Sequence, residues 1–260
     1  MTLTYWSYLK LDELLSLQQP VSDGPEHDET LFIIIHQIYE LWFKEVLHEI
    51  DYLNRRLVEN NTPTALATLK RILTILKTLV AQIDVLETIT PLDFLSFRDR
   101  LEAGSGFQSY QFRELEFVLG RKDARSIERY PKGSVGRRHL ERRFSQPTLW
   151  DAFLGYLAAN GYAVAEDLTE RNVTLTVTPS LSTQQILIDI YRGNPTVTQV
   201  CERLVDLDEG LQEWRYRHVK MVERTIGTRQ GTGGSAGSEY LKTTLFTPIF
   251  PDLWAIRTQL

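Results

Sequence analysis

The chain has 260 residues, 42% of them hydrophobic and 24% charged, with a net charge of -5 at pH 7. That is the balance of a soluble globular protein long enough to bury a sizeable core, and the acidic surplus argues against a broad nucleic-acid footprint. Its single cysteine, Cys201, excludes an internal disulfide and a cysteine metal cluster.

The opening residues lack a basic start followed by a continuous apolar run, so no targeting segment is expected. The longest apolar stretch, Leu31 to Ile35, is far too short to span a bilayer. The expected setting is the cytoplasm, with neither membrane nor nucleic acid as a partner.

Helical periodicity dominates the chain. "SYLKLDELLSLQQ" places Leu9, Leu11, Leu14, Leu15 and Leu17 on a broad apolar face, which Pro20 and a polar turn then break. A second, long helix is expected from about Asp28 to Asn60, with Phe32, Ile35, Tyr39, Trp42, Phe43, Val46 and Ile50 at three- and four-residue steps. "His27-Asp28-Glu29" has the residue types of a metal run, but acidic side chains suit a helix's first turn. A third helix is expected over Pro63–Thr88 with Thr62 as its cap. Thr90 and Pro91 then start a further helix, "EAGSG" interrupts it, and "FQSYQFRELEFVLG" resumes it to Gly120.

From Arg121 to Arg143 the chain is basic and glycine-punctuated, which reads as a solvated loop with a short helix. "TLWDAFLGYLAANGY" is a short helix. "NVTLTVTPS" alternates like a strand, yet has no evident partner and reads equally as extended loop. Two more helices are expected over about Thr183–Tyr191 and Thr196–Thr225, and "FPDLWAIRTQL" forms a short helix or tail. With no repeat and no linker, the expected fold is one all-α domain over 1–260, a bundle of long helices. Helices of this length commonly bury against other subunits as well.

The stretch "WRYRHVKMVERTIGTRQGTGGSAG" pairs His218 with a glycine-rich loop. The loop lacks the Gly-Lys-Ser/Thr ending of a P-loop and follows a helix instead of a strand. Its glycines still allow backbone N–H groups, with the hydroxyls of Thr232 and Ser235, to approach a ligand. No further metal ligands flank His218, as zinc would need. Haem requires only one protein ligand. Trp214 and Tyr216 suit the macrocycle, and Arg215, Arg217 and Lys220 suit its carboxylates. An ordinary core or surface histidine remains the plainer reading. His36, in "FIIIHQIYELWF", must find a partner or face a cavity. Arg98 offers a fork for a carboxylate, although Asp99 and Glu102 are the nearer partners in sequence.

Several segments, taken in order, resemble the tryptophan 2,3-dioxygenase family: "YWSYLKLDELLSLQQP", "HDETLFIIIHQIYELWFKEVLHEID", "VLETITPLDFLSFRDRL", "SGFQSYQFRELEFVLG", "WRYRH", "GTGGS" and "LWAIRT". The resemblance covers nearly the whole chain and is weakest between Arg121 and Asp208. It implies a helical domain enclosing haem b, ferrous when active, with His218 as axial iron ligand and Trp214, Ser105 and Gly106 against the cofactor. It also implies L-tryptophan, or a close analogue, and O2 as substrates. Arg98 would clamp the substrate carboxylate and Thr232 would contact its amino-acid group. Phe32 and Phe94 would line the indole pocket, and His36, the catalytic side chain, would address the indole N–H. Closure of the Gly231–Gly237 loop would exclude water. Tyr5, Tyr8 and Leu9 match positions that complete a neighbouring subunit's pocket, so residues 1–20 would be exchanged within a homotetramer built as a dimer of dimers. The same scaffold also admits monooxygenation of a substituted tryptophan, for example a methylated one, to an oxindole-type product, or haem and tryptophan binding without turnover.

Overall fold

The computed structural model describes residues 2–24, 26–102, 104–231 and 238–260. Helices α1 (Tyr5–Leu9) and α2 (Leu11–Leu15) lead into the long α3 (His27–Val58), α4 (Thr62–Leu86) and the short α5 (Pro91–Arg98). Then come α6 (Tyr110–Val118), α7 (Arg125–Glu128), α8 (Val135–Phe144), α9 (Leu149–Ala159) and α10 (Glu166–Thr169). The chain ends with α11 (Leu181–Gly193), α12 (Pro195–Ile226), α13 (Ser238–Lys242) and α14 (Pro251–Ala255). No strand occurs among the described residues, and no helix there is long and apolar enough to cross a membrane.

Three helices make the frame. Both α3 and α12 pack along α4, whose Leu69, Ile72, Leu76, Leu79 and Ile83 are almost wholly buried. Each such side chain contributes about 1.5–3 kcal/mol on burial, so the frame is the rigid part of the molecule. α9 packs on α3, while α11 and α14 lie against α12. The C-terminal segment is docked by one buried carboxylate. Asp208 accepts the backbone N–H groups of Ile249 (2.8 Å) and Phe250 (2.9 Å) and the indole N–H of Trp254 (2.9 Å).

Local chemistry explains the boundaries. α3 begins at His27 with Asp28 and Glu29 in its first turn, as expected of a helix start. α5 begins at a reciprocal capping box between Thr90 and Asp93 with Pro91 at its first turn. α4 is capped one residue earlier than expected. The Asn61 side chain accepts from the Thr64 N–H at 3.2 Å, which leaves Thr62 as the first helical residue.

Two further expectations are corrected, and one reading left open is decided for extended loop. The N-terminal apolar segment is two short helices, broken where Lys10 adopts φ 51°, and it buries none of its residues. Residues 172–180 form no strand; their contact with Gly120 is one hydrogen bond from the Val177 N–H at 3.2 Å. The basic segment is not solvated at its ends. Lys122 and Arg143 are buried. The Lys122 ammonium donates to the carbonyls of Arg143 (2.8 Å), Phe144 (2.9 Å) and Gln146 (2.9 Å), closing the C-terminus of α8. Arg143 forks onto Asp51 of α3 at 2.6 and 2.9 Å.

Candidate active site

The apolar faces of α3, α4, α5, α6 and α12 converge on one cavity, and residues 241–244 complete its wall. Its empty volume, counting the space at the mouth, is about 1610 Å³.

α3 contributes Phe32, His36, Tyr39, Glu40 and Phe43, spaced so that one helical face meets the cavity. The Nδ1 of His36 lies 2.7 Å from the Phe32 carbonyl oxygen, four residues back. A carbonyl only accepts, so Nδ1 carries the proton, and Nε2 of the neutral ring is left as an acceptor. Burial holds the His36 pKa below the ordinary imidazole value, against the opposing pull of the Phe32 hydrogen bond and the Glu40 charge. The neutral ring is therefore the form present at pH 7.

α12 contributes Trp214, Arg215, His218, Val219, Met221, Val222 and Thr225. The His218 imidazole stacks on Trp214, with centroids 5.3 Å apart and planes at 13°. Trp214 is in turn boxed by Phe43 (6.0 Å, edge-on) and Phe112 (5.2 Å). Burial, with a smaller contribution from the charge of His36, lowers the His218 pKa to about 4. His218 thus presents a neutral imidazole to the cavity, the protonation state a metal ligand needs. The indole N–H of Trp214 is buried, with the Tyr39 hydroxyl as its neighbouring polar group.

Two clusters set the polarity. Glu116 accepts from Arg215 at 3.0 Å and from Arg113, and Arg121 stands 3.9 Å away. With Arg98 and Glu40, the lining carries three arginines against two glutamates. That surplus suits anionic groups on a ligand. Arg98 donates to the Gln230 carbonyl at 2.5 Å, while its Nε has no partner. Neither Asp99 nor Glu102 pairs with it, contrary to the nearest-neighbour expectation.

The aromatic wall is built from α3 and α5. Phe32 lies 5.6 Å from Phe94 and 5.5 Å from Phe97, and its ring sits 4.1 Å from His36. Ser105 and Gly106 line the same cavity. A Cβ built at Gly106 would meet nothing within 4 Å, so the backbone there faces open space.

Of the residues singled out in the sequence, the structure brings together Phe32, His36, Phe94, Arg98, Ser105, Gly106, Trp214 and His218. It does not bring Tyr5, Tyr8 or Leu9 to this cavity; all are exposed on α1. Thr232 and the rest of 232–237 lie outside the described residues, although Gly231 reaches the cavity. Two basic groups expected near the cavity point elsewhere: Arg217 pairs with Asp84 at 2.5 Å, and Lys220 pairs with Glu223 at 2.8 Å. Sequence reasoning missed Glu40, Phe112, Arg113 and Glu116. The available signal was three charged residues, Arg113, Glu114 and Glu116, within one short helix whose Leu115, Phe117 and Val118 must be buried, which forces some of those charges to be paired.

The family model described as tryptophan 2,3-dioxygenase matches residues 1–142 and 162–260. The chain is 60% identical over 258 residues to the tryptophan 2,3-dioxygenase of Herpetosiphon aurantiacus, covering 99% of this chain and 98% of that one. It is 59% identical over 255 residues to the enzyme of that name from an Anaeromyxobacter species, covering 98% and 95%. It is 41% identical over 261 residues to that of Caulobacter vibrioides, covering 99% and 98%.

Proposed function

The chain belongs to the tryptophan 2,3-dioxygenase family, and from that premise we propose how its cavity works. The reaction is the oxidative cleavage of the indole ring of L-tryptophan. Both atoms of O2 enter the product, the C2–C3 bond breaks, C2 becomes a formyl group on nitrogen and C3 becomes a ketone, giving N-formylkynurenine.

The cavity fits haem b by the chemistry of its walls. It offers one neutral, otherwise unengaged imidazole at His218 beside a stacked indole, open backbone at Gly106 and a surplus of arginine. His218 would hold the iron, with Trp214, Ser105 and Gly106 against the macrocycle. Ferrous haem supplies the binding and activation of O2.

The chain's own residues do the rest. Phe32 and Phe94 pack the flat faces of the indole. Arg98 holds the substrate carboxylate through a charge-assisted fork, for which its unpartnered Nε is available. Together these contacts fix C2 and C3 in one orientation. His36 accepts the indole N–H at Nε2. It acts by orientation, because indole N–H is a very weak acid and a neutral imidazole is too weak a base to remove that proton fully. The apolar walls exclude water from the reacting atoms. Thr232 would join the grip on the amino-acid group.

The exposed apolar surface of α1 and α2 supports a homotetramer, a dimer of dimers in which Tyr5, Tyr8 and Leu9 complete a neighbour's cavity.

The observation that carries this reading is the convergence of His36, Arg98 and His218 on one aromatic cavity. The test is to supply the reduced, haem-loaded protein with L-tryptophan and isotopically labelled O2 and to weigh the product. Two labelled oxygens in a ring-opened product are expected. One labelled oxygen, or turnover confined to alkylated indoles, would instead favour monooxygenation.

A further inference from the structure

α5 buries a single side chain, Phe97, which is wholly inaccessible, while the rest of the helix is half-buried or exposed. The helix touches α3 and α12. Its cavity-facing residues, Phe94 and Arg98, are four residues apart and therefore share one face. Phe97 does not reach the cavity. It stands behind the wall, edge-on to Phe94 at 5.4 Å and 85°, and edge-on to Phe32 at 5.5 Å and 62°. Three aromatic rings from two helices thus form a closed triangle, completed by the Phe32–Phe94 contact at 5.6 Å.

We infer that Phe97 is a positioning residue that sets how much room the indole ring has. The inference rests on the tryptophan-cleaving reading of this cavity. Phe32 and Phe94 are the rings that would touch the indole, and Phe97 packs edge-on behind both of them. A close-packed interior does not yield continuously, so the triangle fixes a boundary that a ring substituent must cross. Phe97 also precedes Arg98 on the last turn of α5, so the same anchor places the carboxylate clamp. The substrate class assigned to the native cavity is accordingly tryptophan with an unsubstituted benzo ring. The class admitted once Phe97 is shortened is ring-alkylated tryptophan.

The experiment compares kcat/KM for L-tryptophan with that for 4-, 5-, 6- and 7-methyltryptophan, alongside calorimetric binding of the same panel. It uses haem-loaded wild type, Phe97→Leu and Phe97→Met. Phe153→Leu is the control: Phe153 is equally buried, on α9 against Trp150 (5.1 Å) and Tyr156 (6.4 Å), away from the cavity. A methyl group's worth of pocket space changes discrimination by roughly 10–200-fold. We expect at least one methyltryptophan to gain about tenfold or more relative to tryptophan in a Phe97 variant, in both binding and kcat/KM, with no gain in Phe153→Leu. The methionine variant covers the case in which leucine does not fold. An unchanged ratio in the Phe97 variants overturns the inference, as does an equal change in Phe153→Leu, which would mean general loosening. A wild type without tryptophan turnover overturns the underlying reading, and the inference with it.

Discussion

Phe32 engages His36 twice: its backbone carbonyl accepts the Nδ1 proton at 2.7 Å, and its ring lies 4.1 Å from the imidazole. The first contact fixes the tautomer and the second fixes the ring plane. On the proposed reading, one residue of α3 therefore prepares both the apolar and the polar contact for the indole.

The size of the His36→Ala effect separates orientation from base catalysis. A neutral hydrogen bond contributes about 0.5–1.5 kcal/mol, so kcat/KM should fall about 2- to 13-fold at pH 7.5. General-base removal would cost about 10²–10⁴-fold. The pH profile gives the second readout. Burial favours the neutral ring, so its pKa in the folded state lies below the ordinary value of about 6.5. Activity should be level from pH 8 to about 6.5 and fall only in more acid solution, and His36→Ala should lack that fall. The linked stability has the same sign. Below about 6.5 the unfolded chain binds a proton that the folded chain refuses, so His36 destabilises the fold increasingly as pH drops. Steady-state rates and urea midpoints across pH check both.

Arg98→Met should raise KM for L-tryptophan by about 10–150-fold, the equivalent of the roughly 1.5–3 kcal/mol carried by a charged hydrogen bond. Tryptamine, which lacks the carboxylate, should bind wild type and variant alike. Arg98→Lys should recover only part of the loss, because a point charge cannot fork. Equal weakening for tryptophan and tryptamine would show that Arg98 maintains the wall and not the clamp.

His218→Ala should abolish stable haem retention while leaving helical circular dichroism intact. His218 pairs with no acidic group, so its loss strands no buried partner. Haem content after gel filtration, read from the Soret band, checks this. Full retention would remove His218 from the site.

Lys122→Met tests the buried end of the basic segment. The three carbonyls that now accept from the ammonium would lose their donor. Unsatisfied buried acceptors cost about 1–3 kcal/mol each before relaxation, and a net loss of about 3 kcal/mol is expected in chemical denaturation, with kcat/KM unchanged. This role was not legible in the sequence. A run of arginines and lysines reads as solvated because its partners, Asp51 on α3 and a set of helix-terminal carbonyls, are set by tertiary packing. The long helices were legible, since Phe32, Ile35, Tyr39 and Phe43 repeat at the helical period whatever they touch. The α5 start was legible because a Thr-Pro cap is local chemistry. The α4 cap was misplaced by one residue because Asn61 and Thr62 both accept well and only the backbone chooses between them. Within the site, His36, Arg98 and His218 stood out by residue type and setting, but their roles came from resemblance. Glu116, which holds Arg113 and Arg215 to the cavity, was missed because Arg215 lies on α12, 99 residues away in sequence, and only tertiary packing brings the two together.

The exposed N-terminal helices allow a test of assembly that the isolated chain cannot provide. Tyr5, Tyr8, Leu9 and Leu15 are all large apolar side chains left exposed on two adjoining short helices, and such exposure marks an interaction surface where the side chains are contiguous. If α1 completes a neighbour's cavity, two defects should complement one another. Chains carrying Tyr8→Ala with Leu9→Ala keep a sound cavity but offer a defective N-terminal segment. Chains carrying His218→Ala offer a sound segment but have no axial ligand. Each should be nearly inactive alone. Refolded together, they should form hybrids in which the sound segment of one chain closes the sound cavity of the other, with activity well above the sum of the separate preparations. Mixtures that remain tetrameric by sedimentation but show no recovery would place Tyr8 and Leu9 in their own subunit's packing.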